Sequence, residues 1–180
     1  QKGLATTSNS TNGATTATVS STGTTTYYGF VKNAAGSNSC SKTVKLDVSN
    51  PTCTLAVKSG STCSGADGRT WYTSNVGIKM SSANDTGSGV DTSTKKIQNA
   101  TGDYTLTSDG KDKVITGTLK DKAGHSGSCT ITISKDTGNP TITKLTGEYE
   151  GGWSFWYHYE FKDSVSGLYG PECKLQHTYD

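Results

Sequence analysis

The sequence has few charged and few hydrophobic residues for a chain of 180 residues. Charged residues make up 18% and hydrophobic residues 30%, against roughly 25% and 45–50% in ordinary domains. There are only three prolines and one methionine, and no stretch approaches the roughly 18 apolar residues of a membrane span. Lys and Arg do not cluster, and the formal net charge is +2. We therefore expect neither membrane insertion nor a nucleic-acid partner.

Hydroxyl side chains take the place of the missing charges. The chain has 31 Thr and 23 Ser among its 180 residues. Thr is β-branched, so it fits a pleated, half-exposed strand and is a mediocre helix former. The composition therefore predicts an all-β fold and excludes helical bundles, coiled coils and parallel α/β enzymes.

An internal repeat is the most informative pattern in the sequence. Residues 27–55 align with residues 115–143, and the matched residues include a glycine, a lysine, an Ala-Gly turn, a cysteine, an aspartate and an Asn-Pro-Thr linker. Cys40 aligns with Cys129, which lies 89 residues further on. A period near 90 residues suits a whole small β-domain and not a solenoid repeat.

The aligned Asn-Pro pairs divide the chain into units. Proline holds the preceding residue extended and cannot donate to a central strand ladder, which suits a taut linker. We predict the C-terminal half of one unit at 1–50, a complete unit at 51–139, and the N-terminal part of a third unit at 140–180. The turn at 85–90 resembles residues 163–168, which supports the third unit.

Alternation of apolar and polar residues predicts the strands of the complete unit. The inward rows are Cys53, Leu55 and Val57; Val76, Ile78 and Met80; Tyr104 and Leu106; Ile115, Gly117 and Leu119; and Cys129, Ile131 and Ile133. The signal around Ile97 is weak. Turn signals separate the rows, and about seven short strands with turns every 8–12 residues are the pattern of an immunoglobulin-like (Ig-like) sandwich.

Three segments resemble the repeated unit of bacterial Ig-like domains found in tandem on Gram-positive cell-surface proteins. They are the Tyr-Gly-x-Val-Lys-Asn/Asp-x-Ala-Gly turn, the cysteine that follows it, and the Asp-x-x-Asn-Pro-Thr-Cys linker. The Thr-Gly-Ser-Gly-Val turn and the Trp71–Ser74 segment fit as well. The resemblance covers roughly residues 23–168. It implies tandem Ig-like β-sandwiches and export, and it implies no catalytic residue.

Five cysteines in so polar a chain favour disulfides in an oxidising, extracellular setting, because no CxxC and no zinc-ligand spacing occurs. In an Ig-like sandwich the first and last strands run the same way and can lie side by side. The resemblance therefore predicts a disulfide between Cys53 and Cys129. Cys40 aligns with Cys129, so its expected partner lies outside the chain. Cys63 and Cys173 either pair with each other or stay free.

Calcium is the one cofactor that the sequence suggests. Asp47 and Asn50, and equivalently Asp136 and Asn139, offer oxygen ligands at the linkers. Ca²⁺ takes six to eight oxygens, and each of these clusters supplies only two or three. The alternative is that Asp and Asn simply form turns there.

The aromatic run at 153–161 allows two interpretations. Alternation places Trp156 and His158 on one face of a strand and five other aromatic residues on the opposite face. An outward Trp could stack on a sugar ring, so Trp156 and His158 are candidate glycan contacts. The alternative is an ordinary strand with one face in its own core.

The sequence favours a non-enzymatic role. Its three histidines are scattered, and no spacing indicates a catalytic triad. The leading interpretation is an extracellular stalk or adhesin segment, at the cell surface or secreted, that contacts neighbouring Ig-like domains and presents them to a surface glycan or protein receptor. Two others stay open, namely a carbohydrate-binding module of a secreted enzyme and a filament subunit that self-associates by strand complementation between half units.

Overall fold

The computed structural model describes residues 1–7, 12–65, 67–149 and 155–168. These residues form an all-β structure, and no helix that could cross a membrane occurs among them. The first seven strands are β1 (Lys2–Ala5), β2 (Gly23–Lys32), β3 (Ser37–Leu46), β4 (Thr52–Ser59), β5 (Thr62–Ser64), β6 (Thr70–Tyr72) and β7 (Val76–Asn84). The next seven are β8 (Val90–Ile97), β9 (Ala100–Thr101), β10 (Tyr104–Leu106), β11 (Gly110–Asp121), β12 (Ser126–Lys135), β13 (Thr141–Tyr149) and β14 (Phe155–Lys162).

These strands form four sheets. One sheet has the order β1-β2-β3, a second has β10-β7-β4, a third has β5-β6-β12-β11-β8-β9, and β13 pairs with β14. The β1–β2, β2–β3, β5–β6, β7–β10 and β13–β14 pairs are antiparallel, whereas β12 runs parallel to β6. The many short strands follow from the Thr-rich composition and from the glycines and polar residues between them.

The two copies of the sequence repeat form equivalent hairpins. The first copy forms the hairpin of β2 and β3, and the second forms the hairpin of β11 and β12. At the turn of the first hairpin, the Asn33 side chain accepts the backbone N–H groups of Ala35 and Gly36. At the aligned turn, Asp121 accepts the backbone N–H of His125. A short side-chain acceptor closes both turns, as expected for Asn and Asp.

Most buried apolar side chains come from two of the four sheets. The β10-β7-β4 sheet contributes Leu55, Val76, Ile78 and Leu106, and the six-stranded sheet contributes Trp71, Ile97, Ile115, Leu119 and Ile133. Each sheet thus has one apolar face, which is consistent with a β-sandwich. The inward rows predicted by alternation contain most of these residues. Ile97, where the alternation was weak, is also fully buried at the end of β8.

The chain divides into two compact units that interleave along the sequence. The first consists of Gln1–Thr54, Ser82–Lys96 and Thr118–Cys129, within the described ranges. The second consists of Leu55–Ser81, Ile97–Gly117 and the described residues from Thr130 onward. The domain boundaries at Asn50-Pro51 and Asn139-Pro140 stay predictions.

Candidate functional site

The carboxylate of Asp47, just after β3, accepts hydrogen bonds on both of its oxygens. Oδ1 accepts the backbone N–H of Ser49 at 3.0 Å and its hydroxyl at 2.6 Å. Oδ2 accepts the backbone N–H of Ser88 at 2.6 Å. The first contact is a local turn of the kind that Asp favours. The second ties the linker to a loop 41 residues further along the chain.

That loop, residues 85–90, is shaped to receive the Asp47 carboxylate. Asp85 accepts the backbone N–H groups of Gly87 and Gly89 at 3.1 and 2.7 Å, which curls the loop. Gly89 has a φ of 83°, a left-handed conformation that glycine adopts without strain. At Gly87 a Cβ atom would lie 2.2 Å from the Asp47 carboxyl carbon. A larger residue at position 87 would therefore require Asp47 or the loop to shift.

The same contact recurs at the second linker. Oδ1 of Asp136 accepts the backbone N–H of Gly138 at 2.8 Å, and Oδ2 accepts the backbone N–H of Ser166 at 3.0 Å. Asp136 is the residue that aligns with Asp47. We call the pair Asp47–Ser88 the first linker clamp and the pair Asp136–Ser166 the second.

The loop of the second clamp also has the geometry of the first. Asp163 accepts the backbone N–H groups of Val165 and Gly167 at 3.0 and 2.9 Å. Gly167 has a φ of 79°, close to that of Gly89. The sequence repeat therefore extends to individual hydrogen bonds of the linker and its loop.

Two further ionisable residues accompany Asp47 in the first clamp. Asp121 is only 2% exposed, and its carboxylate accepts the backbone N–H of His125 at 2.9 Å. Its other oxygen lies 2.8 Å from Nδ1 of the His125 ring. Burial opposes ionisation of Asp121, but these hydrogen bonds outweigh it, and the pKa of the carboxyl lies below its usual value.

One group of three metal-ligating side chains occurs in the described part of the chain, and its members are Asp47, Asp121 and His125. Their ligand atoms lie within 4.8 Å of one another. Two carboxylates with an imidazole nitrogen suit Zn²⁺, whereas Ca²⁺ takes oxygen ligands only. The carboxylate oxygens already accept the hydrogen bonds given above, so a cation would have to compete with the His125 and serine donors.

The sequence predicts one calcium cluster at each linker, Asp47 with Asn50 and Asp136 with Asn139, and calcium binding there stays a prediction. Asp47 and Asp136 belong to the first and second clamps respectively. Asn50 and Asn139 are exposed. The structure therefore places the predicted aspartates in hydrogen-bonded turns.

The hydrogen bonds of Asp47 hold the pKa of its carboxyl well below its usual range, and the Ser49 hydroxyl is the largest cause. We expect Ser49→Ala to raise the pKa of Asp47 towards the ordinary value of about 3.9. Carbon-detected NMR titration of the aspartate carboxyls would measure it. The control is a turn of the same kind outside the linkers, in which the Ser93 hydroxyl donates to Oδ1 of Asp91 at 2.6 Å. Ser93→Ala should therefore shift the titration of Asp91 alone, and an unmoved Asp47 in Ser49→Ala would contradict the assignment.

The structure joins Cys53 and Cys129 by a disulfide, with 5.6 Å between the two Cα atoms. This is the pair that the sequence predicts. The strands are arranged differently from the expectation, because β12 has β6 as its parallel neighbour while β4 belongs to the β10-β7-β4 sheet. The bond therefore links two sheets. Cys40 and Cys63 are exposed free thiols, and Cys173 lies outside the described residues.

The candidate glycan contacts lie on β14. Trp156 pairs with Glu148 and His158 pairs with Thr146 in the register of β13 and β14. The side chains of Trp156 and His158 lie outside the described part of the structure. Their role in glycan binding stays a prediction.

Sequence reasoning missed the partners of the linker aspartates. The alignment paired Asp47 with Asp136 and the turn at 85–90 with residues 163–168, but it placed neither turn beside a linker. The signal that could have found them is that both features recur together in the same order, although Ser88 lies 41 residues after Asp47 and Ser166 lies 30 residues after Asp136. In both copies the contact joins a residue that precedes an Asn-Pro pair to a loop that follows it.

Comparisons with known proteins add no relative. A scan against protein-family models, a search of curated proteins and a search of solved structures each found no match.

Proposed function

We propose that the chain is a non-enzymatic, extracellular segment of tandem Ig-like β-sandwich units that spaces and presents domains at a bacterial cell surface. The observation that carries this proposal is the recurrence of the linker clamp. In both copies a linker aspartate accepts a backbone N–H from a curled loop of the following repeat, at 2.6 Å in one and 3.0 Å in the other. A linker held in this way resists bending, which is what a spacer requires.

The strand order supports the Ig-like part of the proposal. An Ig-like sandwich has strands A, B and E in one sheet and strands C, F and G in the other. The β10-β7-β4 sheet matches the first set, in the order E-B-A. The β12-β11-β8 part of the six-stranded sheet matches the second set, in the order G-F-C. The Cys53–Cys129 disulfide supports an oxidising location such as the cell exterior. The Thr-rich and Ser-rich composition suits thin sandwiches with small cores.

The clamp can be tested in the full chain by measuring how its repeats align. We expect residual dipolar couplings from residues 23–46 and from residues 70–135 to fit one alignment tensor. Asp47→Ala removes the Ser88 contact and should yield two tensors. Asp91→Ala is the matched control, because Asp91 forms the same kind of turn with Ser93 away from any linker. Two separate tensors in the unmodified chain would overturn the spacer role.

A further inference from the structure

The first sheet leaves open a face that the aligned sheet keeps covered. In the register of β2 and β3, Gly29 lies directly opposite Cys40. The aligned residues are Gly117 and Cys129. Val31 is 57% exposed on the same face of β2, whereas Leu119, the residue aligned with it, is 2% exposed. The face of β2 that carries Gly29 and Val31 is therefore exposed, whereas the aligned face of β11, which carries Gly117 and Leu119, is covered.

A cavity of about 360 Å³ lies over this open face. Leu4, Ala14, Gly29, Val31 and Cys40 are among its lining residues. The sulfur of Cys40 reaches over Gly29, where a Cβ atom would approach it to 3.0 Å. The cavity is mainly apolar and carries one exposed thiol at its wall.

The second repeat shows what occupies the corresponding place. There Cys53, near the start of β4, is bonded to Cys129. The backbone of Pro51 closes over Gly127 so tightly that a Cβ atom at Gly127 would lie 1.9 Å from the Pro51 carbonyl oxygen. Gly127 aligns with Asn38, which also lines the cavity. The fitting occupant is therefore an extended strand with a cysteine two residues after a proline.

A second copy of the chain fits this place less well. Its Cys53 is already bonded to Cys129. The residue of β13 that aligns with Cys53 is Ile142, which is exposed but has no thiol. An extended strand that resembles β4 and has a reactive cysteine would pack on the apolar floor of the cavity, formed by Leu4 and Val31, and could also bond to Cys40.

We propose that the cavity over Gly29 and Cys40 is a docking site for an extended strand of the β4 kind, and that docking leads to a disulfide between Cys40 and the cysteine of that strand. The bond forms by thiol–disulfide exchange. The Cys40 thiolate attacks a strand cysteine that carries a small thiol as a mixed disulfide, and the small thiol leaves as its thiolate, so no net electrons are transferred. The proposal rests on the tandem-unit organisation argued above.

The experiment uses the full chain and a nine-residue peptide with the sequence of residues 51–59, its cysteine activated as a mixed disulfide with thionitrobenzoate. A scrambled peptide with the same composition and activation is the control. Cys63 is an exposed free thiol in the same chain and serves as the internal reference. We expect the ratio of Cys40 to Cys63 labelling to be about tenfold higher with the β4 peptide, which corresponds to about 1.4 kcal/mol of docking free energy. Peptide mapping by mass spectrometry would assign the labelled sites.

Val31→Lys tests the apolar floor of the cavity. Val31 is more than half exposed, so we expect the variant to fold and its Cys63 labelling to be unchanged, while the preference of Cys40 for the β4 peptide is lost. Equal labelling ratios with both peptides would overturn the proposal. So would Cys40-linked dimers or head-to-tail polymers of the chain in place of peptide labelling. The alignment measurement on Asp47 is independent of this result, so failure of docking and failure of the spacer role are distinguishable.

Discussion

Replacing both Cys53 and Cys129 by alanine is expected to lower the free energy of unfolding by about 4 kcal/mol. The disulfide connects residues 76 positions apart. A disulfide that closes a loop of that length lowers the conformational entropy of the unfolded state. The variant lacks the bond, so its unfolded state has more entropy and is favoured more strongly. With a urea dependence of about 2 kcal/mol per M, the midpoint of unfolding should fall by about 2 M.

Two exposed thiols provide the controls for this experiment. Cys40→Ala and Cys63→Ala remove cysteines that form no disulfide among the described residues, so each should leave the midpoint nearly unchanged. Reduction of the unmodified chain should reproduce the loss seen in the double variant. A loss below about 1 kcal/mol would contradict the loop-closure argument.

The faces of the strands were predictable because alternation is a local property of the sequence. Val76 and Ile78 are fully buried with Gly77 between them, and Leu106 is buried as its row predicts. Side chains two residues apart share a face of any strand, whichever strand pairs with it. The all-β fold follows from the same pattern and the composition.

The short strands β5 and β6 are not predicted from the sequence, because β6 forms through its pairing with the distant strand β12 and β5 forms through its pairing with β6. They lie in a segment rich in Ser, Thr and Gly that reads as a loop. Trp71 is buried in β6 and pairs with Ser134 in β12, far along the chain. No local period signals the three-residue strand β6, because its partner β12 lies more than 60 residues away. The edge strand β5 then pairs with β6.

The linker clamps lie between these two cases. The repeat predicted that Asp47 and Asp136 have equivalent surroundings, and their turns with Ser49 and Gly138 are local. The contact with Ser88 or Ser166 depends on how the chain folds back, which no spacing in one sequence specifies. Alignment thus established equivalence, and only the structure supplied the partner.

A buried lysine near the end of β12 gives the second large prediction. Lys135 is 1% exposed, and its ammonium group lies 2.5 Å from a carboxylate oxygen of Asp109 and 2.9 Å from the carbonyl oxygen of Thr107. Asp109 is 28% exposed, and its other oxygen accepts the hydroxyl and backbone N–H of Thr137. The hydrogen bond from Lys135 is the largest influence on Asp109 and lowers the pKa of its carboxyl.

The unequal burial of the two groups predicts unequal costs of removing them. Asp109→Asn leaves a buried ammonium without its counter-charge and should cost about 3–5 kcal/mol. Lys135→Met should cost less, because Asp109 reaches solvent and keeps its Thr137 hydrogen bonds. Urea unfolding of both single variants and of the double variant would measure the difference. A larger loss in Lys135→Met than in Asp109→Asn would contradict this account.

An exposed pair in the same chain is the matched control for the buried one. Lys58 and Asp103 lie 2.6 Å apart with both side chains about half exposed, so Asp103→Asn should change stability by less than about 1 kcal/mol. The pH dependence separates the two pairs further. Because the pKa of Asp109 is lowered on folding, its contribution is fully present above about pH 4, the unfolded value, and is lost as the pH falls through the folded pKa. The stability gap between the unmodified chain and Asp109→Asn should therefore narrow in acid.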